Sequence, residues 1–207
     1  MAKFPEPPPA EELAQVPPVR KQLPAGTWAW RVYHRGGRHP TLWDRLRDFG
    51  PTAARFDHHL PPPRVQEQAI LYAAGHGPTA LAEAFQNTRL IDRTARDPWL
   101  VGFRLAQPVT LLDLTGAWPT RAGASMAIIT GPRPRARRWA QAIHDAYPDL
   151  DGLYYPSSMH GNRPALALTD RARPAISSRP EFHRPLADPA LLRMLRKLAG
   201  DLGYGLV

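Results

Sequence analysis

Residues 68–87, QAILYAAGHGPTALAEAFQN, decide the fold of this chain. The short apolar run at 68–74 is typical of a buried strand, and the glycine-rich step at 75–77 ends it. Pro78 then suits the first turn of a helix, because its fixed φ and missing N–H do no harm there. We therefore predict a strand that passes directly into a helix ending at about Asn87.

This strand and helix carry two candidate functional side chains. Tyr72 lies at the end of the predicted strand, and Glu83 points away from the apolar face of the helix, which consists of Ala80, Leu81, Ala84 and Phe85. Both side chains can then face one cleft. A lone helical glutamate is more often a solvated carboxylate, and a buried tyrosine is often a core residue, so spacing alone leaves both interpretations open.

The pattern upstream predicts another strand at 27–33, TWAWRVY, with Arg31 opposite to Trp30. A charge on a central strand is costly without a partner, so Arg31 needs an anion, either a phosphate or an Asp or Glu side chain. The segment 35–59 is rich in turn signals. We expect a long loop there that is either functional or disordered.

Downstream, further strands and helices alternate without a repeat. Strands are predicted at 99–105, 109–114, 152–155 and 165–169, and helices at 135–147 and 188–202, the last with Gly203 as its C-cap. This order indicates an α+β fold. Residues 1–26 contain seven prolines and are predicted to form an arm, either lying over the domain at 27–207 or disordered.

Composition limits the function classes. With 27 Lys and Arg against 18 Asp and Glu, the net charge of +9 favours a dinucleotide, an acidic protein or nucleic acid as partner. The chain has no cysteine, which excludes disulfides and thiolate metal sites. It also lacks a long apolar run and a secretory signal pattern, so we expect a cytoplasmic protein with no membrane contact.

Common catalytic motifs are missing. The sequence contains no GxGxxG, GxxxxGKS/T, HExxH or GxSxG, which argues against a dehydrogenase, a nucleoside triphosphatase, a zinc protease and an α/β-hydrolase. His58 and His59 are adjacent, and neighbours on an extended chain point to opposite sides. We therefore expect no shared metal site there, and no metal in the function.

Four pieces of sequence together resemble the RES domain family. They are Trp30-Arg31-Val32-Tyr33, Ala54-Arg55-Phe56-Asp57, the block from Leu71 to Phe85, and Asp151-Gly152-Leu153-Tyr154-Tyr155-Pro156-Ser157. In that family an early arginine, a Y-(x)10-E strand-helix block and a late G-x-x-Y-x-S stretch recur in this order. The resemblance covers about residues 27–170, and the loop between Arg31 and Arg55 is longer than the family pattern.

The resemblance implies both fold and function. RES proteins are similar to ADP-ribosyltransferase toxins, with a split, twisted β core and surrounding helices around an NAD+ cleft. They consume NAD+ by cleaving the nicotinamide–ribose bond, as glycohydrolases or phosphorylases or by ADP-ribosyl transfer. Such a toxin is neutralised by a cognate antitoxin, expected here to be Xre-like with a helix-turn-helix, and it meets nucleic acid only through that antitoxin.

The resemblance also implies the catalytic residues. Glu83 would bind the ribose hydroxyls and stabilise the developing oxocarbenium ion, whose charge resembles that of glycoside cleavage. Arg31 would hold a phosphate through its planar guanidinium. Tyr72 would stack on the nicotinamide and hydrogen-bond the ribose.

Three more residues are predicted to bind NAD+: Ser157 through the nicotinamide amide or ribose, and Arg55 and Tyr33 through phosphate and adenine-side contacts. The arginine cluster at 133–138 is interpreted instead as a solvated face or a docking surface for an acidic antitoxin. Two other functions stay open, a basic nucleic-acid-binding module and a non-catalytic partner-binding protein. The sequence does not choose among water, phosphate and a protein as ADP-ribose acceptor, nor does it give an oligomeric state.

Overall fold

A computed structural model describes residues 4–207 of this chain. Its strands are β1 (Arg20–Leu23), β2 (Trp28–His34), β3 (Arg47–Gly50), β4 (Arg64–Ala74), β5 (Leu90–Ile91), β6 (Pro98–Arg104), β7 (Val109–Asp113), β8 (Gly152–Pro156), β9 (Pro164–Thr169), β10 (Phe182–Pro185) and β11 (Gly205–Leu206). Its α-helices are α1 (Ala10–Leu13), α2 (Gly77–Ala84), α3 (Trp118–Arg121), α4 (Ala127–Thr130), α5 (Arg133–Ala146) and α6 (Leu192–Leu202). Two 3-10 helices span Asp170–Ala175 and Pro189–Leu191.

One mixed sheet contains most of the strands, and helices surround it. The order is β1-β7-β8-β9-β4-β2-β6-β10, with β3 also paired to β4, while β5 and β11 form a separate parallel pair. All pairings in the large sheet are antiparallel except β7 with β8. This architecture confirms the predicted α+β class.

The sheet is split between β2 and β4. Strand β2 pairs with β6 along its whole length, yet it meets β4 only where Trp30 faces Ala74. Over its last five residues β4 pairs instead with β9. The two halves of the sheet therefore diverge from this single pairing, and a cleft opens between them.

The strand-helix block is built as predicted, with two differences in length. Helix α2 ends at Ala84 rather than at about Asn87. Strand β4 begins at Arg64 rather than at Gln68, and its polar first half pairs with β3. The prediction that 35–59 is a loop throughout is therefore wrong at β3. The sequence RDFG of this strand has no apolar alternation, and the strand forms because β4 offers hydrogen-bonding partners.

Two predicted amphipathic helices pack as their patterns require. Helix α5 buries Ala136, Trp139 and Ile143, and Tyr147 follows buried at its end. At the C-terminus, the Asp188 side chain accepts a hydrogen bond from the N–H of Ala190, but a 3-10 turn precedes α6. The predicted C-cap is confirmed, because Gly203 has a left-handed φ of 65°.

The connection between β6 and β7 is a corner. The two strands are joined around Gln107-Pro108. In the structure β6 pairs with β2 and β10, whereas β7 pairs with β1 and β8. The chain thus passes from one half of the split sheet to the other at this point.

The N-terminal segment from Phe4 onward lies over the domain. Phe4 stacks on Trp139 with ring centroids 6.4 Å apart, and Leu13 is fully buried. The Tyr147 hydroxyl lies 2.8 Å from the carbonyl oxygen of Leu13. Strand β1 was not expected from the proline-rich sequence. It pairs with β7 at the edge of the sheet. Residues 1–3 of the predicted arm lie outside the described residues, and the division at residue 26 stays a prediction.

Among residues 4–207, none of the helices combines the length and the apolar composition that crossing a membrane requires.

The central strand β8 depends on a glycine. Gly152 has a φ of +150°, and a Cβ there would lie 2.1 Å from the Ala167 carbonyl oxygen. We expect Gly152→Ala to lower the free energy of unfolding by about 2–4 kcal/mol, through backbone strain and overpacking. Gly200→Ala is the control, because that Cβ meets nothing within 4 Å on helix α6, and it should change stability by less than ~1 kcal/mol. Urea denaturation measures both; equal stability of the two variants would contradict the described pairing of β8.

Candidate active site

A cavity of about 440 Å³ occupies the cleft where β2 and β4 diverge. This volume lies in the range typical of small-molecule sites. Most of the lining comes from the split sheet, α2, the loop after β3 and the start of α5. The lining residues are Trp30, Arg31, Val32, Thr52, Ala53, Ala54, Arg55, Tyr72, Ala73, Ala80, Glu83, Ala84, Gln86, Asn87, Ile129, Arg133, Tyr155, Pro156 and Ser158. The cavity thus contains one carboxylate and several guanidinium groups.

Glu83 is held by hydrogen bonds on both carboxylate oxygens. The Ser157 hydroxyl donates to Oε1 at 2.5 Å, and Gln86 Nε2 donates to Oε2 at 3.3 Å. Burial raises the pKa of Glu83, although the Ser157 hydrogen bond and the charges of Arg55 and Arg133 oppose this shift. The carboxylate is consequently fixed in orientation and partly removed from water.

Arg55 and Arg133 place two guanidinium groups in the cavity wall. Arg55 donates to the Gly131 carbonyl at 2.7 Å, and Arg133 donates to Gln86 Oε1 at 2.9 Å. Burial and the nearby Arg133 charge lower the pKa of Arg55. Within residues 4–207 neither arginine is within ion-pair distance of a carboxylate. Their charge is therefore available to an anionic ligand.

Aromatic rings form much of the remaining wall. The Tyr72 hydroxyl accepts a hydrogen bond from the Phe56 N–H at 3.2 Å, and burial raises the pKa of this tyrosine. Tyr155 meets the Phe56 ring edge-on at 4.8 Å. Trp30 lies against Gly102, where a Cβ would come within 2.8 Å of its ring. The cavity therefore offers flat apolar surfaces beside its charges.

Arg31 contributes to the wall, but its guanidinium is turned toward the loop before β3. It donates to the carbonyls of Trp43 at 3.0 Å and Arg45 at 3.3 Å. Its buried Nε has no hydrogen-bond partner among the described residues, and burial lowers the pKa of Arg31 to about 10. Among the described residues, no Asp or Glu side chain lies within ion-pair distance of this guanidinium, and the predicted phosphate contact is untested. A role in binding NAD+ stays a prediction.

Two other predicted residues lie away from the cavity surface. Ser157 is fully buried behind Glu83, and its neighbour Ser158 lines the cavity. Tyr33 is outside the lining, and its hydroxyl is 2.6 Å from His183 Nε2. The structure thus brings together Arg31, Arg55, Tyr72 and Glu83, places Ser157 directly behind them, and separates Tyr33.

Sequence reasoning missed Arg133 and Gln86. The arginine cluster was interpreted as one surface, but Arg135 and Arg138 pair with Glu6, while Arg133 faces the cavity. Its position as the first residue of α5 was the only available signal. Gln86 follows Glu83 by three residues, a spacing that places both on one side of a helix and could have indicated it.

The loop after β3 is fixed by a buried carboxylate. Asp57 accepts hydrogen bonds from Arg47 Nη2 at 2.9 Å, the Thr52 N–H at 2.6 Å and His59 Nδ1 at 2.5 Å. Burial alone would raise its pKa, but the contacts with His59, Arg47 and Thr52 hold it well below its usual range. This network orders the loop and thereby positions Arg55.

His58 and His59 differ from their expected arrangement. Their rings do not point to opposite sides, because the loop is not extended there, and their centroids lie 5.4 Å apart in a stacked geometry. They nevertheless have different neighbours. His59 contacts Asp57, whereas His58 lies near Asp170.

One comparison with known proteins identifies a family, and another shows a shared fold. The family model of the RES domain matches residues 29–189. A chain in the crystal structure of the M. tuberculosis MbcT-MbcA toxin-antitoxin complex superimposes with a TM-score of 0.58 at 15% identity, covering 91% of this chain and 97% of that chain. At this identity the likeness is one of fold, and a search of the curated proteins finds no match. Since the family model spans most of the sequence, this chain belongs to the RES domain family.

Proposed function

We propose that this protein is a cytoplasmic enzyme that consumes NAD+ by breaking the nicotinamide–ribose bond, and that it is the toxin of a toxin-antitoxin pair. One observation carries the proposal. A half-buried carboxylate, Glu83, shares a cavity with Arg55 and Arg133, two guanidinium groups without a carboxylate partner among the described residues. That arrangement suits a ligand with a cationic end and a diphosphate.

The reaction needs a negative charge beside the ribose. When the bond from C1′ to the nicotinamide nitrogen breaks, the electron pair leaves with the nicotinamide, which becomes neutral. Positive charge then develops on the ribose C1′ and ring oxygen. Glu83 stabilises this charge, and it interacts more strongly with the transition state than with the ground state because the ribose gains charge as the bond breaks.

The remaining cavity residues have binding and positioning roles. Arg55 and Arg133 hold the diphosphate, since a planar guanidinium matches phosphate oxygens. Tyr72 stacks on the nicotinamide ring, and Arg31 supports the β2 side of the site. Ser157 positions Glu83 through its hydrogen bond rather than contacting NAD+ directly. Tyr33 is excluded from the contact set because its hydroxyl is engaged with His183.

The acceptor determines the product. Addition of water to C1′ with loss of a proton gives ADP-ribose, addition of phosphate gives a phosphorylated ADP-ribose, and addition of a protein nucleophile gives an ADP-ribosylated target. All three release one nicotinamide. Chromatography of the products in buffers with and without phosphate, and with cell extract, distinguishes them.

An antitoxin partner is part of the proposal. Membership of the RES domain family and the fold shared with a chain of the MbcT-MbcA toxin-antitoxin complex both support it. We expect an Xre-like protein with a helix-turn-helix that covers the cavity mouth and alone contacts DNA. A direct nucleic-acid function is less well supported, because Glu6 neutralises part of the arginine cluster by pairing with Arg135 and Arg138.

Glu83→Gln should abolish most of the activity. We expect nicotinamide release from NAD+ to fall roughly 10²–10³-fold, since the variant keeps the shape and loses the charge. Glu12→Gln changes an exposed carboxylate on α1 and should leave the rate unchanged. Induced expression should arrest bacterial growth with wild type and Glu12→Gln, but not with Glu83→Gln.

Stability separates a catalytic role of Glu83 from a structural one. Its raised pKa means that folding favours the protonated form, so the ionised group costs stability once the pH rises through that pKa. The Tm of Glu83→Gln should therefore equal or exceed that of wild type at neutral pH. A lower Tm for this variant, together with unchanged nicotinamide release per folded molecule, would contradict the catalytic assignment.

The pH profile should report the same carboxylate. Because Glu83 acts ionised, kcat/KM should fall as the pH decreases through the pKa that Glu83 has in the free enzyme. Burial raises that pKa, so the midpoint of the acid limb should lie above the ordinary value for glutamate. Steady-state rates across the acidic range measure it. An acid limb at or below the ordinary glutamate value would contradict this account.

Arg133→Gln should weaken NAD+ binding. Removing a guanidinium that contacts a phosphate should raise KM about 10–100-fold, with a smaller change in kcat. Arg137→Gln, on the same helix but outside the cavity lining, is the matched control and should leave KM unchanged. Equal KM values for the two variants would remove Arg133 from the proposed site.

A further inference from the structure

A second group of ionisable side chains lies outside the cavity. His58 from the loop after β3, His144 from α5 and Asp170 from the 3-10 helix after β9 meet at one point. His58 Nε2 is 3.8 Å from Asp170 Oδ1, and His144 Nε2 is 3.7 Å from the same oxygen. One potential ligand atom from each residue lies within 4.8 Å of the other two. Three separate segments thus contribute to the cluster.

The two imidazoles leave polar atoms unpaired. Within the described part of the chain, neither His58 Nε2 nor His144 Nε2 has a hydrogen-bond partner, although both atoms are buried. Distances of 3.7 and 3.8 Å to Asp170 are too long for hydrogen bonds. The His58 side chain is only 2% exposed, so its unpaired nitrogen is costly to keep buried unless something binds it.

The spacing of these atoms suits an ion between them. In a tetrahedral zinc site, bond lengths of about 2.0–2.2 Å to nitrogen and oxygen place the ligand atoms about 3.3–3.6 Å apart. The observed separations from the carboxylate oxygen are a few tenths of an ångström longer. The rings of His58 and His144 stack with centroids 4.4 Å apart and planes 23° apart, so binding one ion also requires the rings to turn until both Nε2 atoms face it.

We propose that His58, His144 and Asp170 bind a divalent transition metal ion of the zinc type. Two neutral imidazoles and one carboxylate form a donor set that such ions prefer over Ca²⁺ or Mg²⁺, which select oxygen ligands. Asp170 and His144 also border an open depression of about 420 Å³. This depression lets an ion enter and lets water occupy the remaining coordination position.

Neighbouring groups orient the three ligands. His144 Nδ1 lies 3.5 Å from both Asp145 Oδ1, an acceptor, and Arg171 Nη2, a donor, so these two neighbours favour opposite tautomers of the ring. The Asp170 carboxylate accepts a hydrogen bond from the Ala69 N–H at 3.4 Å. Arg171 is the adjacent cation, and it donates to the carbonyls of His144 and Tyr147 at 3.0 Å.

A bound ion would join parts of the chain that are distant in sequence. It would connect the loop carrying Arg55 and Phe56 to helix α5 and to the end of β9. That loop contributes to the wall of the NAD+ cavity, so the expected role of the ion is to stabilise the loop. The inference does not rest on the proposed NAD+ chemistry, since metal binding can be measured without NAD+.

The test uses full-length protein from which any affinity tag has been removed. The protein is first treated with a chelator to remove bound metal. Co²⁺ titration followed by visible absorption, and Zn²⁺ titration by calorimetry, should each give one equivalent bound. Asp170→Asn and His144→Gln should weaken binding more than ~100-fold, because loss even of an outer-shell partner costs 10–100-fold. His39→Ala removes an exposed histidine and should bind as wild type does.

Thermal denaturation gives a second measurement. Zn²⁺ should raise the Tm of wild type and of His39→Ala, and leave that of Asp170→Asn unchanged. The Tm of each variant without metal shows whether that variant is folded. If Asp170→Asn is not folded, His144→Gln takes its place in this measurement. Absence of stoichiometric binding to wild type, or binding to both ligand variants with wild-type affinity, would overturn the proposal.

Discussion

The backbone pairing of Trp30 with Ala74 is the constraint on which the rest of the structure depends. It is the only pairing between β2 and β4, and each strand completes its hydrogen bonding elsewhere, β2 with β6 and β4 with β9 and β3. Because the strands diverge, side chains from both can line one cleft without filling it. Helix α2 begins three residues after Ala74 and crosses this opening, which places Glu83 in the cavity.

The cavity arranges charge in a way that does not serve stability. Arg55 and Arg133 donate to neutral acceptors, the Gly131 carbonyl and the Gln86 amide, instead of pairing with Glu83. An ion pair there would neutralise both partners and weaken the field that a charged ligand meets. Ser157 and Gln86 fix the carboxylate through hydrogen bonds without neutralising it.

Buried polar groups also order the segments that have little regular structure. Asp57 gathers donors from Arg47, Thr52 and His59, so the loop carrying Arg55 has a defined path despite its turn-rich sequence. The N-terminal segment is held differently, by an exposed ion-pair network and a buried leucine. Its Glu6 pairs with two arginines of α5, and Leu13 fills the core beside Tyr147. In both cases a few contacts with the domain replace secondary structure.

The sequence by itself determined the α+β class, the strand-helix block, the apolar faces of α5 and α6, and the candidates Tyr72 and Glu83. The fold class, the strand-helix block and the helix faces follow from periodicity and local propensity, which short windows of sequence contain, whereas Tyr72 and Glu83 were singled out by the resemblance to the RES domain family. Only the tertiary structure decided that Arg133 faces the cavity while Arg135 pairs with Glu6, that Tyr33 lies outside it, and that β1 and β3 are strands. Those outcomes depend on partners distant in the chain, because hydrogen bonds and charge pairs across a sheet leave no periodic signal in either segment alone.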